Sequence, residues 1–576
     1  RGPCIMINPE IAAIFNEMAD YLELKNENPF RIRAYRRAAQ NLEGLSRDVL
    51  DMTEDDLMKA PGIGKDLAAK IIEYLKTGRI NAHEELKKEI PSIVLEIEAI
   101  PGVGPRTAML IHEKLHVKSI DELEKLASEH KLSGLPGIKE KTEENILKGI
   151  GMLRRGLERR PLGIVLPIAH EIIERLKQKV SLKQIDVAGS IRRAKETVKD
   201  IDILALSDEP EAVMRAFTGL PNVKDVLMQG ATKSSIIITE GLQVDLRVVG
   251  RESYGAALAY FTGSKEHNVR LREMAVKKGL TINEYGIFRV KDNKKLGGDH
   301  EEDSYKILGL QFVPPELRED TGEIEAALGN RLPHLVSLED IRGDLHVHSN
   351  WSDGVNTIEQ LATAAKERGY SYIAITDHTR GLGIAHGLTV ERLMEQGREV
   401  DTVNKKIKNF GVLHGTEVDI RADGTPDLPD EALKKLDIVV ASIHSGFRQT
   451  KEQITGRIVK AMKNPYVAVI GHPTGRLLGE REAYEVDMEE VLKVAAETGT
   501  ALEINAFPLR LDLNDIYVKK AKELGVSIAI NTDAHDIPQF DYMSYGVSIA
   551  RRGWLEKKHV LNTLDVKQLM KRIKHS

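Results

Sequence analysis

One cysteine, Cys4, stands among 576 residues. An intrachain disulfide is therefore excluded, a reducing cytoplasm fits, and a metal ion would have only histidines and carboxylates to hold it. Long apolar runs are missing as well. Nothing approaches the roughly 18 consecutive apolar residues of a membrane span, so no membrane partner is expected. No secretory signal is visible either, because residues 1–20 read as an amphipathic helix, with the residues ahead of Met6 reading as an extension. An excess of one charge sign is also lacking. With 83 Lys and Arg against 88 Asp and Glu the net charge is −5, which alone argues neither for nor against a polyanionic partner. What is present is 41% hydrophobic and 30% charged residues, the balance of a globular chain in water. The length exceeds one ordinary core, so several domains are expected.

The most informative stretch is Val187-Ala188-Gly189-Ser190-Ile191-Arg192-Arg193, followed by Asp200-Ile201-Asp202. It reads as a strand, a Gly-Ser turn into a basic helix start, and a second strand with two carboxylates. Residues i and i+2 of a strand share a face. Asp200 and Asp202 can therefore share a divalent ion, while backbone N–H groups of the Gly189-Ser190 turn face a phosphate. Asp245 follows in the apolar strand Gln243-Val244-Asp245-Leu246-Arg247-Val248-Val249. Three acids beside a phosphate cradle point to two-metal nucleotidyl transfer. A surface hairpin with solvated acids is the plainer alternative.

Upstream, residues 9–151 read as helices with short breaks. Pro61-Gly62-Ile63-Gly64, Pro101-Gly102-Val103-Gly104 and the partial Pro136-Gly137-Ile138 each lie between helical segments. Such turns leave N–H groups open at the next helix start, which suits a phosphate backbone and reads no base. Arg31, Arg33, Arg36 and Arg37, and again Arg154, Arg155, Arg159 and Arg160, form clusters that either neutralise phosphates or line solvated helix faces. Lys70, flanked by apolar residues, reads equally as a Schiff-base nucleophile and as a helix-surface lysine beside DNA. His112-Glu113-Lys114-Leu115-His116 matches the zinc-protease pattern but lies in a short helix with no third ligand nearby, and is read as an exposed helix face.

Residues 161–249 read as an α+β sheet carrying the three acids. After them come Tyr260-Phe261-Thr262-Gly263-Ser264-Lys265-Glu266-His267-Asn268, Arg270, Arg272 and Thr281-Ile282-Asn283-Glu284-Tyr285-Gly286. With the hairpins, Gly-Ser-x-Arg-Arg, Asp-Ile-Asp and Val-Asp-Leu-Arg in this order, residues 7–315 resemble the family X DNA polymerases, the family of DNA polymerase beta. The resemblance implies that Asp200, Asp202 and Asp245 hold two Mg²⁺ or Mn²⁺ ions. Gly189, Ser190 and Arg193 would grip the triphosphate of a dNTP, with Tyr260 and Gly263 along its sugar. Asn268 would meet the minor-groove edge and Arg272 the template strand, while Gly62, Gly64, Gly102 and Gly104 would hold the DNA backbone. Lys70 falls at the family's 5′-deoxyribose-phosphate lyase position, although Arg31 and Asp66 stand where lysines are expected.

Residues 317–338, with Gly322, Gly329 and Pro333, read as a polar linker. Beyond it, seven short apolar strands alternate with amphipathic helices. Six of the seven strands end in His, Asp or Glu, and in a βα barrel such ends converge on one mouth. His346 and His348 share a strand face, as do Asp533 and His535. His414 is out of phase and His386 lies in a loop. From about residue 340 this part resembles the polymerase and histidinol phosphatase (PHP) family. The resemblance implies up to three Mn²⁺ or Zn²⁺ ions held by His346, His348, Asp353, His378, Glu417, His444, His472, Asp533 and His535, with Glu417 bridging two. Such ions would activate a water and hold a leaving oxygen in phosphoester hydrolysis.

The fold expected is multidomain. It comprises helix-hairpin-helix domains at 1–83 and 84–152, an α+β nucleotidyltransferase palm at 153–252 and a thumb-like subdomain at 253–316. A distorted TIM-like (βα)7 PHP barrel follows at 339–576. The whole chain resembles a bacterial or archaeal family X polymerase with a PHP barrel. That implies a monomeric, cytoplasmic repair polymerase acting on gapped or nicked DNA, with 3′→5′ exonuclease activity in the barrel. The rivals are a DNA-end-binding protein with only the barrel active, and a barrel acting on small phosphate esters.

Overall fold

The computed structural model describes residues 7–25, 27–43, 49–59, 63–98, 100, 103–154, 159–381 and 385–573. Two compact units divide the chain, one ending at Glu158 and the other beginning at Arg159.

The first unit is helical. Lys65–Thr77 buries Leu67, Ala68, Ile71 and Tyr74, one stripe at helical spacing, and it stops on Gly78 in the left-handed region (φ 71). It starts from extended Gly64, and Pro105–Leu115 starts in the same way from extended Gly104 with proline in the first turn. The third turn, between Ile120–Ser128 and Glu140–Arg154, is pinned by Glu143. This carboxylate is 1% exposed and accepts from the backbone N–H groups of Leu132 (2.7 Å) and Ser133 (2.8 Å).

The second unit opens with a five-stranded sheet in the order Gln184–Val187, Asp200–Leu206, Gln243–Val249, Lys233–Ile238, Val223–Gln229. The two acid-bearing strands run parallel side by side. Their other face, with Ile201, Ile203, Val244 and Leu246, packs on helices Leu162–Lys179 and Pro210–Thr218. Helices Arg251–Thr262 and Lys265–Lys277 follow, then a small antiparallel sheet of Leu280–Asn283, Gly286–Arg289 and Lys295–Gly297.

Residues 317–338 are not a solvated linker. Leu317, Ile324 and Ala327 join the core of the preceding subdomain, and Arg318 and Glu323 are fully buried. Arg318 gives NH1 to Glu301 (2.7 Å) and Nε to the Val313 carbonyl (2.9 Å), while Glu323 accepts from His267 (2.7 Å). Glycine and proline content suggests a spacer; the apolar spacing 317, 324, 327 decides otherwise.

Seven parallel strands then follow in sequence order: Gly343–Val347, Tyr372–Ile375, Gly411–Asp419, Ile438–Ser442, Val469–Ile470, Ala501–Asn505 and Ile528–Asn531. A bridge between Val347 and Ala534 links the last to the first. Most strand residues are buried, since helices cover the outside and side chains fill the inside. This nearly closed barrel carries every strand's C-terminal end to one mouth.

Candidate active sites

In the sheet of the second unit, Asp202 lies directly opposite Asp245 in the parallel register, and Asp200 shares the face of Asp202. Burial first, and then the neighbouring charges of Asp200 and Asp245, push the Asp202 carboxyl up to about 7. Asp245 is also raised, mainly by burial, and it accepts from the Ser235 hydroxyl. Carboxylates that resist sharing one charge are suited to a divalent cation, which relieves the repulsion. Gly189 enters the turn at φ 59, and a Cβ there would lie 2.2 Å from Asp202 Oδ2. The turn thus comes as near to the acids as backbone permits. Ser190 follows Gly189 in the short helix Gly189–Arg192.

Arg193 reaches across to the next subdomain, giving NH1 to the Thr262 carbonyl (2.5 Å) and Nε to Glu319 (3.1 Å). Gly263 sits against it: a Cβ there would be 3.1 Å from Arg193 NH1. Asn268 donates Nδ2 to the Tyr260 carbonyl (2.7 Å), so these two belong to one local frame. Arg272 is exposed on helix Lys265–Lys277.

Of the hairpin glycines, Gly64 and Gly104 stand at helix starts, and a Cβ at either would meet nothing within 4 Å. Gly62 and Gly102 lie outside the described residues. Lys70, its side chain 14% exposed, donates to Asp66 one helical turn earlier (2.6 Å) and lies 5.9 Å from the Tyr35 ring centre. Arg36 is held by Asp20 (2.7 Å) and Glu23 (2.9 Å), so that cluster is partly internal. His112 bonds the Val117 carbonyl (3.3 Å), and His116 caps the helix at φ 50. Neither joins a metal-competent group among the described residues.

At the barrel mouth the nine expected residues come together. Glu417, 1% exposed, is the hub. One carboxylate oxygen lies 2.9 Å from His378 Nδ1 and 3.4 Å from His346 Nε2, and the other 3.1 Å from His472 Nε2 and 3.3 Å from His444 Nε2. Asp533 lies 3.0 Å from His348 and 3.5 Å from His346, while Asp353 is 3.5 Å from His535 and 3.6 Å from His378. Three overlapping groups of metal-competent atoms result: His348, Asp353, His378 and His535; His346, His348 and Asp533; His378, Glu417 and His444. His472 joins through Glu417. Asp353 and His535 are about one-third exposed (32% and 31%) whereas His346 and His348 are closed off, so the site opens on the Asp353 side.

Several buried histidine nitrogens facing these carboxylates make no aligned hydrogen bond: His346 Nε2, both nitrogens of His348 and Nδ1 of His378. Buried nitrogens are rarely left so, and coordination of cations is the physical use that fits this donor set. Charges are crowded at this mouth: the surrounding carboxylates raise His346, His444 and His535 against burial. Against burial, His346, His444 and His378 hold Glu417 well below the usual carboxylate range. Burial, then the charges of His535 and His378, push His348 down to about 3, keeping it a neutral ligand.

Sequence patterns did not single out the residues that orient this set. Glu503 is fully buried, lies 2.8 Å from His346 Nδ1 and accepts from the His472 backbone N–H (2.7 Å) and Asn531 (2.9 Å). Asp419 faces His444 Nδ1 (3.5 Å), and Asn505 donates to Asp533 (3.1 Å). Arg510 lies 3.9 Å from Asp533 with NH1 lacking a partner. The available signal for Glu503 and Asn505 was their i, i+2 spacing in an otherwise apolar strand.

Comparison with known proteins matches four stretches. Residues 6–80 match a helix-hairpin-helix domain, 94–151 a SAM-like helix-hairpin-helix tandem, 257–319 the DNA polymerase beta thumb, and 344–507 the PHP domain. The chain is 41% identical over 566 residues to the DNA polymerase/3′-5′ exonuclease PolX of Bacillus subtilis (strain 168), covering 98% of this chain and 99% of that protein. It is also 35% identical over 246 residues to a probable phosphatase of Thermoanaerobacter sp. (strain X514), covering 40% of this chain and 94% of that protein.

Proposed function

The chain belongs to the bacterial family X DNA polymerases that carry a C-terminal PHP domain, and from that premise we propose that it fills short gaps during DNA repair and trims 3′ ends. Synthesis falls to Asp200, Asp202 and Asp245, and 3′→5′ exonuclease action to the barrel mouth. The observation that carries this reading is the pairing of three facing aspartates beside a phosphate turn with a separate metal-competent histidine and carboxylate cluster at the barrel mouth.

In the sheet, Gly189 and Ser190 present backbone N–H groups to the triphosphate and Arg193 adds a guanidinium. Tyr260 and Gly263 line the sugar, Asn268 meets the base edge and Arg272 the template strand. Gly62, Gly64, Gly102 and Gly104 grip the DNA backbone without reading sequence. In the barrel, the histidines with Asp353, Glu417 and Asp533 would hold the ions at the mouth where a phosphodiester can enter. When bound, divalent ions supply Lewis acidity to activate the attacking oxygen and stabilise the leaving one. We assign Mg²⁺ or Mn²⁺ to the three aspartates, and up to three Mn²⁺ or Zn²⁺ ions to the barrel. No helix among the described residues is long and apolar enough to cross a membrane, and we place the protein in the cytoplasm as a monomer.

The likeness of the barrel to a probable phosphatase favours a second use of the same site, removal of a 3′-terminal phosphate. Both uses are tested with His346→Ala. It should remove 3′ digestion and 3′-phosphate release from a labelled primer while gap filling continues. Digestion at the wild-type rate would contradict the barrel assignment.

A further inference from the structure

The loop that follows the phosphate turn is built into the barrel. Its backbone passes through Ala194 in the left-handed region (φ 52), a conformation that L side chains resist and surroundings must hold. Arg552, at the end of helix Met543–Arg552, donates NH1 to the Arg193 carbonyl just before that bend (2.7 Å). Just after it, Arg476 grips both oxygens of Glu196, at 3.1 and 2.7 Å. Arg552 is 3% exposed, and Asp515 takes its Nε and NH2 at 2.8 and 2.6 Å.

The same Arg552 NH1 meets Glu319 Oε1 at 3.0 Å. That one oxygen also accepts from Arg193 Nε at 3.1 Å, with Lys195 Nζ 3.7 Å away. Arg193 therefore spends Nε on Glu319 and one NH1 hydrogen on the Thr262 carbonyl. A guanidinium has five N–H donors in one plane, which leaves three. A plane fixed through Nε is the arrangement that aims terminal donors at phosphate oxygens without freezing a long side chain at the moment of binding.

We propose that Glu319, held in place by Arg552 of the barrel, is a positioning residue for nucleotide binding: it orients the Arg193 guanidinium toward the triphosphate of the incoming nucleotide. The barrel is thereby a structural part of the polymerase nucleotide site. This rests on Arg193 being a triphosphate ligand. The Glu319–Arg193 contact has a bias of its own toward binding over turnover, because triphosphate contacts made in the ground state act on KM.

Steady-state gap filling by the full chain tests this with Arg193→Lys, Glu319→Gln and the two combined. Loss of a charge-assisted hydrogen bond should raise the dNTP KM of Glu319→Gln by about tenfold, with kcat, the KM for gapped DNA and the 3′ digestion rate unchanged. The double variant should be no worse than Arg193→Lys alone, since both changes act on one contact. Arg552→Lys keeps the buried charge but loses the two-armed fork, and should shift the dNTP KM in the same direction. A wild-type dNTP KM in Glu319→Gln, or losses that multiply in the double variant, would overturn the positioning role. So would a joint fall in kcat and DNA affinity in Glu319→Gln, which marks a mere structural joint. If Arg193→Lys itself keeps the wild-type dNTP KM, the nucleotide-site reading fails first.

Discussion

Glu503 touches no solvent, and its carboxylate meets His346 Nδ1 and the His472 backbone N–H on two other strands. It fixes which His346 nitrogen faces the cluster, because Nδ1 is occupied and Nε2 is left toward Glu417 and Asp533. Glu503→Gln should therefore cut 3′ digestion by about 10–100-fold and leave primer extension intact, read as rates on one labelled duplex. Glu319 gives a pH prediction. Burial pushes its carboxyl up, but Arg552, Arg193 and Lys195 more than reverse this and hold it at about 2. A depressed acid contributes stability that is present above its ordinary value of 4.5 and is lost as pH falls toward about 2. The Tm gap between wild type and Glu319→Gln should be widest above pH 4.5 and should narrow on acidification. A gap independent of pH would show that the carboxylate charge is not what stabilises the joint.

At the scale of elements, the phosphate turn is packed closely against the acids. Gly189→Ala combines a positive φ with a Cβ 2.2 Å from Asp202 Oδ2, so backbone or carboxylate must move. Extension should fall by about 100-fold or more, since displacement of about 1 Å has that effect on reacting groups. The cost in stability should stay within about 1–3 kcal/mol, as a thermal melt would register; extension near the wild-type rate would mean that the turn does not approach the acids. Periodicity made much of this legible. The i, i+2 rule places Asp200 and Asp202 on one face, and seven short apolar runs, six of them ending in His, Asp or Glu, give the barrel strands in order. Residues 317–338 were not legible in this way, because scattered apolar residues such as Leu317, Ile324 and Ala327 announce a core only when the partner surface is known. Glu503, inside a strand rather than at its end, escaped for a similar reason.

At the scale of the whole molecule, side-chain contacts within the second unit join the acid-bearing sheet and its neighbouring subdomain to the barrel. Glu196 meets Arg476, and Glu319 meets both Arg193 and Arg552. Pairs between residues 126 to 359 positions apart leave no local pattern in the sequence, which shows the domains but not the contacts between them. On the proposed reading one chain carries two chemistries, nucleotide addition at Asp200, Asp202 and Asp245 and nucleotide removal at the barrel. The most direct measurement is the product-length distribution of the Asp200→Ala/Asp202→Ala variant on a labelled gapped duplex with Mn²⁺ and dNTPs. The expected result is primers that only shorten, at the wild-type rate of digestion; primers that still lengthen, or that no longer shorten, would contradict it.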